Sequence, residues 1–197
     1  MTRSLAGLVF FLCATWSAAV QAQSPGQPIT PGQVFTGSLL SVRAPDSEGW
    51  VFAPAGNSGL AFVRRGAERD ETYAAQAILF RLTPAENRVE FVQLIRERID
   101  MVNPPSRFEP LEANYEFTDL RGYPCVRYKC LYNDKEALTT SGTREPMKLQ
   151  VVSMYCRHPS QKEVGFFAAY SHRGASTDPD LDAPALRFID GVQVPQK

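Results

Sequence analysis

Apolar residues along this chain follow mainly the two-residue period of β-strands. Residues 49–53 and 59–64 are two such runs, and the Pro-Ala-Gly-Asn-Ser segment between them predicts a hairpin. Residues 72–82 and 164–171 are apolar at both alternating sets of positions. A strand of this kind lies between two covering layers, so both runs are predicted to be central in a sheet.

Two segments have the three-to-four-residue spacing of helices. The first is predicted to begin at Thr83, which forms a capping box with Glu86, and to end before Asn103-Pro104. Its predicted buried stripe consists of Val89, Val92, Ile95, Ile99 and Val102. The second helix lies near the end of the chain, with Asp182 as its cap and Pro184 in its first turn.

Three further strand runs lie at residues 115–118, 125–132 and 149–156. Because short turns connect antiparallel strands, the sheet is predicted to be mainly antiparallel. Its two central strands are apolar on both faces, so other elements must pack on both faces of the sheet. The sequence thus predicts an α+β fold in which helices cover both faces of a mainly antiparallel sheet, an α/β/α sandwich.

The N-terminus has the features of an export signal. Arg3 precedes an apolar run. Val20-Gln21-Ala22 then places small or medium-sized side chains at the positions that a signal peptidase recognises. This pattern predicts a Sec signal peptide over residues 1–22, with cleavage after Ala22. The apolar run is shorter than the roughly 20 residues of a membrane anchor, so no transmembrane segment is expected after cleavage. We therefore expect a secreted or periplasmic protein.

Composition defines the remaining organisation of the chain. Residues 23–36 are rich in proline, glycine and glutamine, which predicts a flexible leader, and residues 37–197 are predicted to form one domain. The chain has 21 basic and 21 acidic residues. This balance provides no broad positive field, so we expect no nucleic acid among its partners.

Three of the four cysteines, Cys125, Cys130 and Cys156, lie in the later strand runs. Cys125 and Cys130 point to opposite faces of one strand, and no close cysteine pair is present, so we expect neither a metal nor another cofactor. An oxidising compartment favours a disulfide instead. A symmetric hairpin places Cys125 opposite Cys156 and leaves Cys130 free. The competing pair is Cys130–Cys156, because a bulge would shift the register.

Polar residues at two strand ends are candidates for ligand contacts. Arg157 and His158 follow one strand, whereas His172 and Arg173 end the next. Antiparallel pairing puts the two histidines at opposite ends of the sheet, where they cannot share a ligand. A histidine in such a place serves proton transfer or, more commonly, bonds loop carbonyls.

No catalytic residues are assigned from the sequence. Ser171 and His172 are adjacent on a strand and point to opposite faces, so they cannot form a nucleophile and base pair. The chain contains neither a G-x-S-x-G elbow nor a glycine-rich phosphate loop after a strand.

The segments "GYPCVRY", "YCRHP", "YSHRG" and "LRFIDGVQ" resemble those of a group of secreted proteobacterial proteins of unknown function. Over roughly residues 37–195 the order of elements is similar to that of the PsbP/Mog1-like fold, an antiparallel sheet between helical layers. In that group Cys125 and Cys156 match positions expected to be cysteines, whereas Cys130 is an addition. Members of the fold are mostly non-enzymatic, so the resemblance implies an accessory or binding role.

The expected function is that of an exported, non-enzymatic accessory or binding protein of the cell envelope, whose partner is an unknown envelope protein or a small ligand. The alternative is a hydrolase-type enzyme with a site near His158 or His172. That alternative requires a carboxylate or hydroxyl within hydrogen-bond reach of a histidine, in a cleft. A mainly structural role in the envelope is a third hypothesis.

Overall fold

A computed structural model of the chain describes residues 26–195, so the predicted signal peptide lies outside the described residues. Within this range the elements follow in the order β1 (Val34–Thr36), β2 (Ser41–Arg43), β3 (Val51–Ala53), a 3₁₀ turn (Gly56–Ser58), β4 (Gly59–Arg65), β5 (Thr72–Arg81), α1 (Arg88–Val102), β6 (Phe108–Thr118), β7 (Cys125–Leu138), β8 (Arg144–Arg157), β9 (Val164–Gly174), α2 (Asp182–Asp190) and β10 (Val192–Gln193).

The main sheet has seven antiparallel strands in the order β3-β4-β5-β9-β8-β7-β6. The predicted central position of residues 72–82 and 164–171 is confirmed, because β5 and β9 pair side by side in the middle of this order. A small antiparallel sheet is formed by β1, β2 and β10. None of the helices in residues 26–195 is long and apolar enough to span a membrane.

The expectation that helices cover both faces of the sheet, as in a PsbP/Mog1-like α/β/α sandwich, is wrong. Strands account for 46% and helices for only 16% of the described residues, and the two α-helices are short. Each helix covers only part of one face of the sheet. On the side of α1, for example, Val63 of β4 is 37% exposed. On the side of α2 much of the cover comes from non-helical residues, including Ile29, Val42 and Trp50.

The reason for this error is physical. A strand that is apolar on both faces shows that each face is covered, but it does not identify the covering element. In this chain the small sheet and the segments that precede β3 supply a large share of the cover on one side. The fold is therefore mostly antiparallel β-sheet.

The first helix begins later than its sequence pattern predicts. The N-cap is Asn87, whose side chain accepts a hydrogen bond from the Glu90 amide, while the Glu90 carboxylate accepts from the Glu86 amide. The capping arrangement therefore lies four residues beyond Thr83. The buried residues of the helix are Phe91, Ile95 and Ile99, whereas Val89 and Val102 are exposed.

Part of the predicted flexible leader belongs to the fold. Ile29 is buried, Val34–Thr36 forms β1, and the Gly26 amide donates to the Phe52 carbonyl. Folded structure therefore includes residues of the segment before Gly37. The segment is proline-rich, but its few apolar side chains complete the core under the small sheet.

The β7–β8 hairpin has the predicted register. The strands pair without a shift from Cys125 opposite Cys156 to Asp134 opposite Met147, and the first irregularity lies beyond Asp134. A disulfide joins Cys125 and Cys156, whose Cα atoms are 4.1 Å apart. Cys130 is free and buried, so the predicted pair is confirmed and the competing pair is excluded.

Candidate functional site

A groove of about 220 Å³ lies between α2 and the outer strands of the main sheet. Its apolar part is formed by Val152 and Met154 of β8 together with Leu186 and Ile189 of α2. Its polar part contains Asn114 and Glu116 of β6, Arg127 and Lys129 of β7, and Asp182 of α2. Such a mixture of an apolar surface and a few convergent polar groups is typical of a ligand site.

Strand register explains how the groove is assembled. Lys129 lies opposite Asn114 on one side and Val152 on the other, so all three share one face of the sheet. The helix contributes residues 182, 186 and 189, whose spacing places them on one stripe. The groove is therefore polar at the sheet edge and becomes apolar beneath the helix.

Two exposed ion pairs line the groove. The Lys129 ammonium lies 2.6 Å from the Asp182 carboxylate, and the Arg127 guanidinium lies 3.8 Å from that of Glu116. All four side chains are exposed. Pairs of this kind contribute at most about 1 kcal/mol, so a charged ligand can compete for either partner at little cost.

The second polar cluster surrounds His172, which is only 2% exposed. Its Nε2 lies 2.8 Å from the Glu71 carboxylate, and its Nδ1 lies 3.2 Å from the side-chain oxygen of Gln150. The Tyr73 hydroxyl lies 3.0 Å from the Asp178 carboxylate and 3.3 Å from that of Glu71, so its one proton is shared between two acceptors. Burial, and then Asp178, raise the pKa of Tyr73.

Gln150 connects His172 to the segment before α2. The Gln150 oxygen accepts from the Asp178 amide, and its nitrogen donates to the Asp178 carbonyl. The oxygen therefore faces His172 as an acceptor, just as the Glu71 carboxylate does on the other side of the ring. The cluster thus ties the β4–β5 turn and the segment before α2 to the sheet.

Replacing Glu71 by glutamine is expected to lower the free energy of unfolding by about 1–2 kcal/mol at pH 7, because the Glu68 amide and His172 lose a charged acceptor. The Glu68 amide, and then His172, lower the Glu71 pKa below its ordinary 4.5. This stabilisation is therefore complete above pH 4.5 and disappears as pH falls through the lower folded-state pKa.

Urea titrations of the wild type and the Glu71→Gln variant at a series of pH values would measure this effect. The two stability curves should converge in acid. Glu68→Gln is a matched control, because the Glu68 side chain is exposed. A difference between the wild type and Glu71→Gln that stays constant down to acid pH would contradict the role of the Glu71 charge.

The other histidine, His158, is also 2% exposed and lies at the opposite end of the sheet. Its Nε2 lies 3.2 Å from the Leu39 carbonyl, and its Nδ1 accepts from the Ser160 amide. The Ser160 hydroxyl lies 3.3 Å from the same nitrogen. Since the Nδ1 lone pair is directed at an amide, the ring supports a turn and a loop rather than a nucleophile.

The two candidate arginines bind carbonyl or carboxylate groups of the protein itself. Arg157 donates to the carbonyls of Lys162 and Thr83, and its guanidinium lies over the Phe91 ring. Arg173 lies 3.1 Å from the buried carboxylate of Asp134. Neither arginine lines the groove, and the structure does not bring the four candidate residues together.

Sequence reasoning missed the groove and the partners of His172. Glu71 belongs to a charged turn that looks solvated, although Tyr73, two residues further along the chain, lies directly opposite His172. The groove was missed because its walls come from three strands and a distant helix. Among residues 26–195 no group of three or more metal-ligating side chains lies together.

Comparisons with known proteins give no further guide to the family. No protein-family model matches this chain, and a search of curated proteins finds no significant relative. The resemblance to secreted proteobacterial proteins therefore stays a prediction, and function has to be argued from the geometry.

Proposed function

We propose that this chain is an exported accessory protein of the cell envelope that binds a partner protein or a small ligand in the groove between α2 and β6–β8. The observation that carries the proposal is the composition of the groove: apolar side chains next to exposed, exchangeable ion pairs. Export is supported by the N-terminal pattern and by the buried disulfide, which suits an oxidising compartment.

The groove favours binding over a covalent reaction. The lining residues include two hydroxyl groups, but Ser153 donates to the Tyr128 carbonyl and the Tyr128 hydroxyl bonds that of Tyr132. Both are buried and already partnered. His158 and His172 do not line the groove, and their rings offer no exposed nitrogen to a substrate. The hydrolase hypothesis therefore gains no support from these residues.

A Leu186→Glu variant is expected to lose binding by at least tenfold, because it places a charge on the apolar wall. Leu186 is 47% exposed, so the variant should fold. Removing the apolar contact of one leucine costs about 1.5–3 kcal/mol of binding energy, and each 1.4 kcal/mol is tenfold in affinity. Ligands would be found by thermal-shift screening of periplasmic metabolites and by affinity capture from periplasmic extract.

The matched control is Leu138→Glu, which adds the same charge to an exposed leucine at the far end of the β7–β8 hairpin. It should bind as the wild type does. A ligand or partner that binds Leu186→Glu as tightly as the wild type would contradict the groove as the site. Failure of every screen to detect a partner or ligand would contradict the binding function itself.

A further inference from the structure

The last strand of the main sheet, β6, has an open edge. Among residues 26–195 it pairs with β7 alone, and seven of its eleven residues are exposed. An edge strand directs alternate N–H and C=O groups away from its neighbour, and an extended peptide can bond to them. This edge adjoins the groove, because Asn114 and Glu116 of β6 form part of the groove wall.

The open stretch has a defined length. Pro110 has no N–H to donate, and the register shifts between Pro110 and Glu112. Regular pairing with β7 resumes at Glu112 and continues to Thr118. At about 3.3 Å per residue this stretch spans roughly 23 Å, the length of an ordinary strand.

The two faces of this stretch differ in chemistry. On the groove side the row is acidic, with Glu112 and Glu116 flanking Asn114. On the other side, Tyr115 and Phe117 lie half-buried beneath the guanidinium groups of Arg96 and Arg88, at 4.6 and 4.4 Å from the ring centroids. An added strand therefore meets carboxylates on one face and cation-covered aromatic rings on the other.

We infer that β6 is a docking edge for an extended polypeptide segment that alternates basic with apolar side chains. The basic side chains face Glu112 and Glu116, and the apolar ones lie beside Tyr115 and Phe117, where Arg88 and Arg96 repel a basic residue. The inference rests on the proposed binding function and names its partner. A second copy of this chain fits poorly, because it would bring its own acidic row to the edge.

The test uses capped synthetic peptides and fluorescence anisotropy with the disulfide-intact protein. The basic probe has lysine at its first and fifth positions, threonine at the third, and valine between them. The matched acidic probe has glutamate in place of lysine. We expect the wild type to bind the basic probe at least tenfold more tightly than the acidic one.

Charge reversal at the edge should reverse this preference. The Glu112→Lys/Glu116→Lys variant should prefer the acidic probe, whereas Glu48→Lys/Glu97→Lys should behave as the wild type. The control changes the net charge equally but at exposed residues outside β6. Equal effects of the two double variants would show non-specific attraction and overturn the inference.

Strand pairing itself is tested with two N-methylated forms of the basic probe, modified at its odd or at its even positions. Only one set of amides faces β6, so one form should bind and the other should not. Binding of both forms, or absence of binding by the unmodified basic probe, would overturn the inference. Dimers that sediment as such and dissociate in Glu112→Lys/Glu116→Lys would also overturn it, since the occupant would be a second copy.

These outcomes separate the inference from the proposed function. A ligand that loses affinity in Leu186→Glu but not in Glu112→Lys/Glu116→Lys would leave the groove as a binding site and remove the edge strand from it. If neither variant changes the binding of any probe or captured partner, both proposals fail.

Discussion

Replacing Asp134 by alanine is expected to lower the free energy of unfolding by about 3–5 kcal/mol. Asp134 is fully buried. Its carboxylate accepts two hydrogen bonds from Arg107, at 2.8 and 3.0 Å, and lies 3.1 Å from the Arg173 guanidinium. Alanine would leave two cations facing each other without a counter-charge.

The size of this effect follows from burial. Desolvation alone would raise the Asp134 pKa, but Arg107 and Arg173 outweigh it and hold the pKa below its ordinary 3.8. The carboxylate therefore stabilises the fold at neutral pH, and this contribution disappears as pH falls below 3.8 through the folded-state pKa. The cluster also joins distant parts of the chain, because Arg107 precedes β6 and Arg173 lies in β9.

Urea unfolding at pH 7 would measure the loss, with Glu116→Ala as the matched control. Glu116 also pairs with an arginine, but both side chains are exposed, so we expect a change of at most about 1 kcal/mol. Asp134→Asn should lose less unfolding free energy than Asp134→Ala, because the amide oxygen of asparagine still accepts a hydrogen bond from one arginine. Similar losses for Asp134→Ala and Glu116→Ala would contradict the argument from burial.

The features that the sequence predicts well are those encoded by local periodicity. The strand runs at 125–132 and 149–156 have one hydrophobic period and one connecting loop, and a register centred between Thr140 and Ser141 places Cys125 opposite Cys156. The irregularity between Asp134 and Ala137 shifts the pairing by one residue, from Ala137 opposite Glu145 near the turn to Asp134 opposite Met147, and from there the register continues unbroken to the two cysteines. Without that shift Cys125 would lie opposite Arg157 rather than Cys156.

The features that the sequence does not reveal depend on contacts between distant residues. Thr83 and Asn87 both fit a helix cap, and the helix begins after Asn87, with Phe91 packed in the core. Glu71 and His172 are 101 residues apart and meet because β5 pairs with β9. Arg173 resembles a ligand contact in the sequence because its partner, Asp134, belongs to another strand. The walls of the groove are likewise formed by residues that lie far apart in the sequence.

Replacing Cys125 and Cys156 together by alanine is expected to lower the free energy of unfolding by about 3–4 kcal/mol. The disulfide closes a loop with a sequence separation of 31, and this closure restricts the unfolded chain far more than the folded one. Both cysteines are fully buried, in the part of the core that lies between the sheet and α2. Urea unfolding under non-reducing conditions would measure the loss.

The matched control is Cys130→Ala, which removes a buried thiol from the same hairpin without opening a loop. We expect a loss of about 1 kcal/mol, typical of a small core truncation. Burial raises the Cys130 pKa to about 11, so little thiolate is present at neutral pH to attack the neighbouring disulfide. Peptide mapping of the untreated protein should therefore find Cys125 bonded to Cys156 and Cys130 free.

Reduction of the wild type supplies the decisive comparison. If the disulfide acts through the unfolded chain, the reduced wild type and Cys125→Ala/Cys156→Ala should unfold at nearly the same urea concentration, well below the oxidised protein. Both should keep the paired β7–β8 strands, because twelve residue pairs still define that register. A double variant as stable as Cys130→Ala would show that strand pairing alone holds the hairpin and that the disulfide adds little to it.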